Sequence, residues 1–260
     1  MNPILQVEKI SKSFRLSKKQ QKIEATKEKI KVALNNLTFT AYEGEIYGLL
    51  GPNGAGKTTA LRCISTLIKP DSGEIHLNGF SVMNEEDKVR SEIGFLTSDL
   101  KLEDFCTPNY LFDYFSKLHG VDPETTKSRR YLLFEKFGID KFAEVKVGEL
   151  STGMRQKVQI AVALVHNPKI IVFDEPTNGL DILTAKVVTD YLKELRDEGK
   201  TIIVSTHIFS LAERLCDRVG IIIDGELKYE SELTDASRKE ANLEALLFQL
   251  VEESEALKNA

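Results

Sequence analysis

Ile46-Tyr47-Gly48-Leu49-Leu50-Gly51-Pro52-Asn53-Gly54-Ala55-Gly56-Lys57-Thr58-Thr59 runs from a short apolar segment into a glycine-rich loop. Downstream, Ala60, Leu61, Ile64, Leu67 and Ile68 recur at helical spacing, so the stretch predicts a strand, a loop and a helix from Thr58 to Ile68. Glycines at 51, 54 and 56 permit positive φ and leave no Cβ between the amide N–H groups and a phosphate, while the helix amino terminus adds partial positive charge. Lys57 can reach the β and γ phosphates, and the Thr58 hydroxyl can ligate Mg²⁺. Gly51 through Thr59 therefore implies a nucleoside triphosphate site.

A second apolar run, Ile170-Ile171-Val172-Phe173, ends in Asp174-Glu175. In open α/β sheets ligands bind outside the carboxyl ends of the strands, so both acids belong beside the phosphate loop. Asp174 is expected to hold Mg²⁺, and Glu175 to orient or deprotonate the attacking water. An acid pair after a strand is also an ordinary turn, and this pair gains its meaning from the loop.

The chain has 260 residues, 42% of them hydrophobic, enough for one compact body with a well-buried core. Its 35 basic and 40 acidic residues leave a net charge of −5, which gives no overall reason to bind nucleic acid, and no nucleic-acid partner is expected. Cys63, Cys106 and Cys216 are far apart and odd in number, which argues against a disulfide framework or zinc site and for a reducing cytosol. Met1-Asn2-Pro3 is followed by Glu8 and Lys9 rather than by a signal-peptide core, and no apolar run is long enough to span a bilayer.

Further from the loop, Ile4 to Val7 reads as a strand, and Val32 to Phe39 returns to an approximate alternation. Between them, from Lys9 to Lys31, nine Lys or Arg face only Glu24 and Glu28. This basic insertion, approximately residues 15–31, is expected to be a solvated and partly disordered loop or hairpin extension, with an anionic lipid surface or acidic partner as the alternative. Strands are predicted over Glu74 to Leu77 and Ile93 to Leu96, with a polar helix around Glu85 to Glu92 between them. Thr107-Pro108 and Asp122-Pro123 each cap a helix, the second ending at Gly138, and a third helix begins near Ser151. Three helices without an intervening strand predict a helical subdomain, approximately 99–166, inserted between two parts of an ATP-binding α/β core, approximately 1–98 and 167–235. Strand and helix then alternate through Val219 to Ile223, as in a parallel sheet. Over approximately 236–260, Leu243, Leu246, Leu247, Leu250 and Val251 place an apolar stripe on an acidic helix, which should pack on the core or on a second subunit.

The motifs occur in a fixed order. After the phosphate loop come Leu150-Ser151-Thr152-Gly153-Met154-Arg155-Gln156, Asp174-Glu175-Pro176-Thr177, Gly179-Leu180-Asp181 and Ser205-Thr206-His207. In this order and over nearly the whole chain, they resemble the nucleotide-binding subunit of ATP-binding cassette (ABC) transporters. Within that family, Leu150 to Met154 and Phe173 to Leu183 look most like the ATPase subunit of bacterial sodium-export systems. The resemblance implies a P-loop NTPase core with a parallel sheet, an antiparallel β region at the amino terminus and the inserted helices.

It also implies a Mg²⁺-dependent ATPase on the cytoplasmic face of a membrane, powering export, of Na⁺ or of drugs and other solutes, through a separate permease subunit. A soluble ABC protein and a cassette that binds ATP without hydrolysing it are the rival implications. Ser151 and Gly153 would then present hydroxyl and amide groups to the γ-phosphate held by a second subunit, so that a head-to-tail dimer encloses two ATP molecules. His207 would contact the γ-phosphate and the attacking water, and Asp181 would lie at the subunit junction, a role compatible with a plain helix cap. In the residues just after Ile93 to Leu96, where the family usually has Gln, this chain offers Asp99 as a metal ligand. Where the family stacks Tyr on adenine, it offers Phe14. Thr152 and Met154 also depart from the usual signature, while Ser151 and Gly153 keep it.

Overall fold

The computed structural model describes residues 2–23, 26–97, 101–233 and 242–259. The apolar runs form a six-stranded sheet in the order β10-β9-β3-β8-β7-β6. Its members are β3 (Ile46–Leu50), β6 (Ile93–Thr97), β7 (Ile170–Asp174), β8 (Thr201–Thr206), β9 (Arg218–Ile223) and β10 (Glu226–Glu232). All neighbours are parallel except β10 against β9. Every residue of β3, β7 and β8 is buried, as expected of parallel strands covered on both faces.

The two faces have different covers. Tyr47, Leu49, Val172 and Ile203 point toward helix α2 (Lys57–Ile64) and a second, antiparallel sheet. That sheet, in the order β2-β1-β4-β5, comprises β1 (Pro3–Arg15), β2 (Ile30–Tyr42), β4 (Ser72–Leu77) and β5 (Phe80–Ser81). On the opposite face Ile46, Leu50, Phe173 and Val204 pack with α7 (Ile182–Asp197) and α8 (Phe209–Leu215). Leu243 and Leu247 of the last helix, α9 (Leu243–Asn259), join this cluster, with Leu246, Leu250 and Val251 packed on its margin. The apolar stripe at the chain's end is thus a core contact.

Between β6 and β7 the described residues form helices and no strand. α3 (Glu86–Glu92) precedes β6, and then come α4 (Pro108–Leu118), α5 (Pro123–Phe137), two short 3-10 turns and α6 (Thr152–Ala163). The caps read from sequence are formed: Thr107 accepts from Tyr110 N at 3.2 Å and Asp122 from Thr125 N at 2.9 Å, and α5 stops at Gly138 with φ 65°. Phe112 meets Phe134 edge-on, and Phe137 meets Tyr191 in the same way, which ties these helices to α7.

Arg218 links the layers. Its guanidinium bonds Glu45 Oε1 at 3.0 Å, Glu230 Oε1 at 3.0 Å and the Thr40 carbonyl at 2.9 Å, and lies over the rings of Tyr42 and Tyr47. Tyr47 Oη donates to the same Glu230 oxygen at 2.6 Å. One cation thereby joins β2, the start of β3 and the edge strand β10.

Three elements differ from the sequence expectations. α2 ends at Ile64 rather than Ile68, because Thr66 takes φ 61° and turns the chain, leaving Leu67 mostly exposed. The hairpin ladder continues to Arg15 opposite Ile30, so both ends of the basic insertion are strand, and a short helix α1 (Lys18–Ile23) stands in what remains. β10 has no counterpart in the sequence reading. The three cysteines are buried thiols, and burial pushes that of Cys63 up to about 12. Among the described residues no helix is long and apolar enough to cross a membrane.

Candidate functional site

Register aligns the carboxyl ends of four parallel strands: Thr97 pairs with Asp174, Asp174 with Ser205, and Leu50 with Thr206. The phosphate loop follows β3 directly and enters α2. Gly56 holds φ 111°, and a Cβ there would stand 2.4 Å from the Ala33 carbonyl oxygen, so both conformation and space demand glycine. At Gly51 a Cβ would meet the Ile222 carbonyl at 2.2 Å, while Gly54 opens to solvent beside the exposed Asn53.

Behind the loop stands the turn between β9 and β10. Gly225 N donates to the carbonyl of buried Ala55 at 2.9 Å, and Asn35 N donates to Gly225 O at 2.9 Å. The residue before Gly225, Asp224, accepts from Ser254 Oγ of α9 at 2.9 Å.

The Lys57 ammonium is buried and folded back on the loop, donating to Gly51 O at 2.7 Å and Pro52 O at 3.1 Å. Burial lowers its pKa, opposed by the charges of Glu175 and Asp174. Next to it, Thr58 Oγ1 donates to Asp174 Oδ1 at 3.2 Å, and Ser205 Oγ donates to the same oxygen. The buried Asp174 carboxylate, with Thr58 beside it, fits one side of a divalent cation. Among the described residues no group of three His, Cys, Asp or Glu could hold a metal by itself, so such an ion would complete its shell with phosphate oxygens and water.

Glu175 has φ 55°, a left-handed conformation uncommon for a residue with a side chain. It is held there by its N–H, which donates to Ser205 O at 3.1 Å and approaches Ser205 Oγ at 3.3 Å. Its Oε1 meets His207 Nδ1 at 2.9 Å, which orients the imidazole toward the cleft.

These groups border one cleft of about 650 Å³. Asn53, Gly54, Gly56, Lys57, Thr58 and Thr59 line one side, Asp174, Glu175, Asn178 and His207 another, and Phe14, Leu16, Gln20, Lys31 and Ala33 a third. Phe14 thus faces the phosphate loop, across a basic insertion that reading the sequence left without a position. Ser205, Asn178 and Gln20 were given no role from sequence. Ser205 carried a signal, since it stands one register step across from Asp174 at the end of an apolar strand.

Ser151, Gly153 and Asp181 are outside that lining. Ser151 is exposed and caps α6, accepting from Met154 N at 3.3 Å. Asp181 caps α7, accepting from Leu183 N and Thr184 N at 3.0 Å each and from Thr184 Oγ1 at 2.6 Å. The Thr184 bonds, the hydroxyl first, hold the Asp181 carboxyl below its usual pKa. A Cβ on Gly153 would touch Thr184 at 3.4 Å, so the two helix amino termini are neighbours and form a second polar edge. Asp99 lies outside the described residues.

Residues 34–178 match the family model described as ABC transporter. The chain is 40% identical to the ABC transporter ATP-binding protein NatA of Bacillus subtilis over 80% of this chain and 85% of that one. It is 39% identical to a Nod factor export ATP-binding protein of Burkholderia orbicola, over 75% of this chain and 64% of the other. Among solved structures, a dimeric ATP-binding cassette in a post-hydrolysis state with ADP and phosphate superposes with a TM-score of 0.76 at 29% identity, covering 88% of this chain and 99% of that one.

Proposed function

The chain belongs to the ABC transporter family as an ATP-binding and ATP-hydrolysing subunit, and on that premise we propose which of its residues do the work and what the work drives. The observation that carries the assignment is the single cleft in which Lys57, the Thr58–Asp174 contact and the Glu175–His207 pair converge.

Lys57 exchanges its two carbonyl partners for the β and γ phosphates, and the amides from Gly54 to Thr59 cradle the same groups. Thr58 and Asp174 would hold Mg²⁺, which when bound would offset the charge of the phosphates. Glu175 accepts a proton from the attacking water. Its contact with His207 leaves the second carboxylate oxygen for that task, while the imidazole's other nitrogen faces the γ-phosphate. Phe14 stacks on the base.

A second copy supplies Ser151 and Gly153 to the γ-phosphate. The position of those residues on a separate edge, away from their own phosphate loop, supports this reading, as does the dimeric neighbour. Asp181, beside that edge, couples the two sites. In Asp99 the chain offers a further metal ligand from the segment after β6.

ATP-driven closure of the dimer then powers export through a separate membrane subunit docked near the helices of residues 99–166, with the chain peripheral on the cytoplasmic face. There a cleft of about 740 Å³ between residues 101–105 and α6 offers a docking place. Sodium is the first solute to test, followed by drugs. Co-purification with a membrane protein, and ATP-dependent uptake of Na⁺ or a drug by inverted vesicles, would bear this out. Robust ATPase activity with no membrane partner recovered would favour a soluble, non-transport role instead.

A further inference from the structure

The described residues of the basic insertion are folded, and they are folded against the nucleotide cleft. Leu16 N donates to Lys29 O at 2.9 Å, Gln21 N to Ser17 O at 2.9 Å, Gln21 Nε2 to Glu28 O at 2.9 Å, and Glu28 N to Thr26 Oγ1 at 3.1 Å. Leu16 is buried although the residues around it are exposed. α1 has no buried residue of its own, so these bonds, rather than a core face, set its position.

The lining of the cleft shows what the insertion faces. Phe14 pairs with Lys31, the register slips at Ala33, which is the extra residue between Val32 opposite Ser13 and Leu34 opposite Lys12, and Leu16 follows Phe14 by two; all four of Phe14, Leu16, Lys31 and Ala33 border the cleft. The Ala33 carbonyl abuts Gly56. The hairpin therefore leads outward from the phosphate loop, through Lys31 and Phe14, to Leu16 and Gln20, all along the same cleft. A nucleoside triphosphate held by its phosphates at Lys57 directs its base along this wall, because Asp174, Glu175 and His207 occupy the phosphate end.

Gln20 is oriented for a ligand. Ser17 N donates to Gln20 Oε1 at 2.8 Å and Gln20 N donates to Ser17 Oγ at 3.3 Å, a reciprocal capping box at the start of α1. With Oε1 so engaged, Nε2 is the donor left for the cleft. We infer that α1 forms the outer wall of the base end of the pocket and that Gln20 Nε2 donates a hydrogen bond to the purine of the bound nucleotide. The surrounding Arg15, Lys18, Lys19 and Lys22 add a positive field that draws the polyanion in, which gives the insertion's charge a role without a lipid. This inference rests on the ATP-site reading above.

The test compares ATP with inorganic tripolyphosphate, which has the phosphates but no base, on the full chain and on Gln20→Ala, Gln20→Glu and Lys57→Ala. Gln20→Glu keeps the capping acceptor for Ser17 N and deletes the donor, so its fold is preserved. Gln20→Ala should lose about 2- to 12-fold in ATP affinity, the range of one net hydrogen bond, with the loss in KM rather than kcat and with tripolyphosphate bound as before, while Gln20→Glu, whose added negative charge weakens both polyanions, should lose ATP affinity by a factor in that same range beyond its loss for tripolyphosphate. Lys57→Ala should weaken both ligands. Unchanged ATP affinity in the Gln20 variants, or an equal loss for tripolyphosphate, overturns the base contact while leaving the phosphate site standing. Failure of the unaltered chain to bind either ligand overturns both readings.

Discussion

His207 Nδ1 and Glu175 Oε1 meet at 2.9 Å across the ends of β8 and β7, with Glu175 fixed in a left-handed backbone conformation by Ser205. Such a conformation costs about 1–3 kcal/mol and persists only where its surroundings enforce it. Here it aims a carboxylate into the cleft rather than along the strand. Glu175→Gln should keep ATP binding and accumulate a closed dimer, with phosphate release slowed by about 10²- to 10⁴-fold. Turnover at the unaltered rate would remove Glu175 from the chemistry.

Gly56→Ala tests the loop itself. The new methyl would fall 2.4 Å from Ala33 O at φ 111°, so loop or strand must move. We expect a stability loss of about 1–3 kcal/mol in denaturant unfolding and loss of ATP binding by equilibrium titration. Full nucleotide affinity in this variant would mean that the loop tolerates displacement and is not the phosphate cradle.

Arg218 is a costly connection to cut. Its removal leaves Glu45 buried without its cation, and loss of one partner from such a pair costs about 3–5 kcal/mol. Arg218→Met should lower the urea midpoint accordingly, and adding Glu45→Gln should recover part of the loss. Additive effects of the two substitutions would show that the pair contributes nothing jointly.

His166 supplies a pH dependence. It stacks on His119 with ring centroids 4.0 Å apart, bonds Ile93 O at 3.1 Å, and has Arg129 and Lys200 nearby. Burial, with those cations and His119, lowers its pKa from 6.5 to about 4. The unfolded chain therefore takes up this proton first as pH falls, so stability present above 6.5 is lost progressively toward about 4. Unfolding midpoints measured across that window should fall less steeply in His166→Gln, which keeps a donor for Ile93 O but does not titrate. Identical slopes would exclude His166 as a source of acid sensitivity.

The parallel sheet and the place of its candidate site were readable because both follow from strong local rules. Strands buried on two faces are continuously apolar, and Gly51, Asp174 and His207, the candidate ligand-bearing residues, stand at their carboxyl ends. β10 escaped because its sequence, Glu226-Leu227-Lys228-Tyr229-Glu230-Ser231-Glu232, belongs to a sheet edge and is mostly polar. α1 escaped for a related reason: with no apolar face, its place is set by capping and backbone bonds, which periodicity does not register. α2 was read one turn too long because Leu67 and Ile68 keep the helical spacing past the residue that breaks it, Thr66. The order of the motifs pointed to a composite site, but the wall contributed by the insertion required the hairpin register.

The turn behind the phosphate loop also has a dynamic consequence. Asn35, Gly225 and Ala55 are bonded in series, so the amides of Asn35 and Gly225 open to solvent only when the back of the loop loosens. A ligand that stills the loop from the front should slow deuterium uptake at both, although neither lines the cleft. Through Asp224 and Ser254 the same stiffening reaches α9, so the far end of the chain can register whether the pocket is filled.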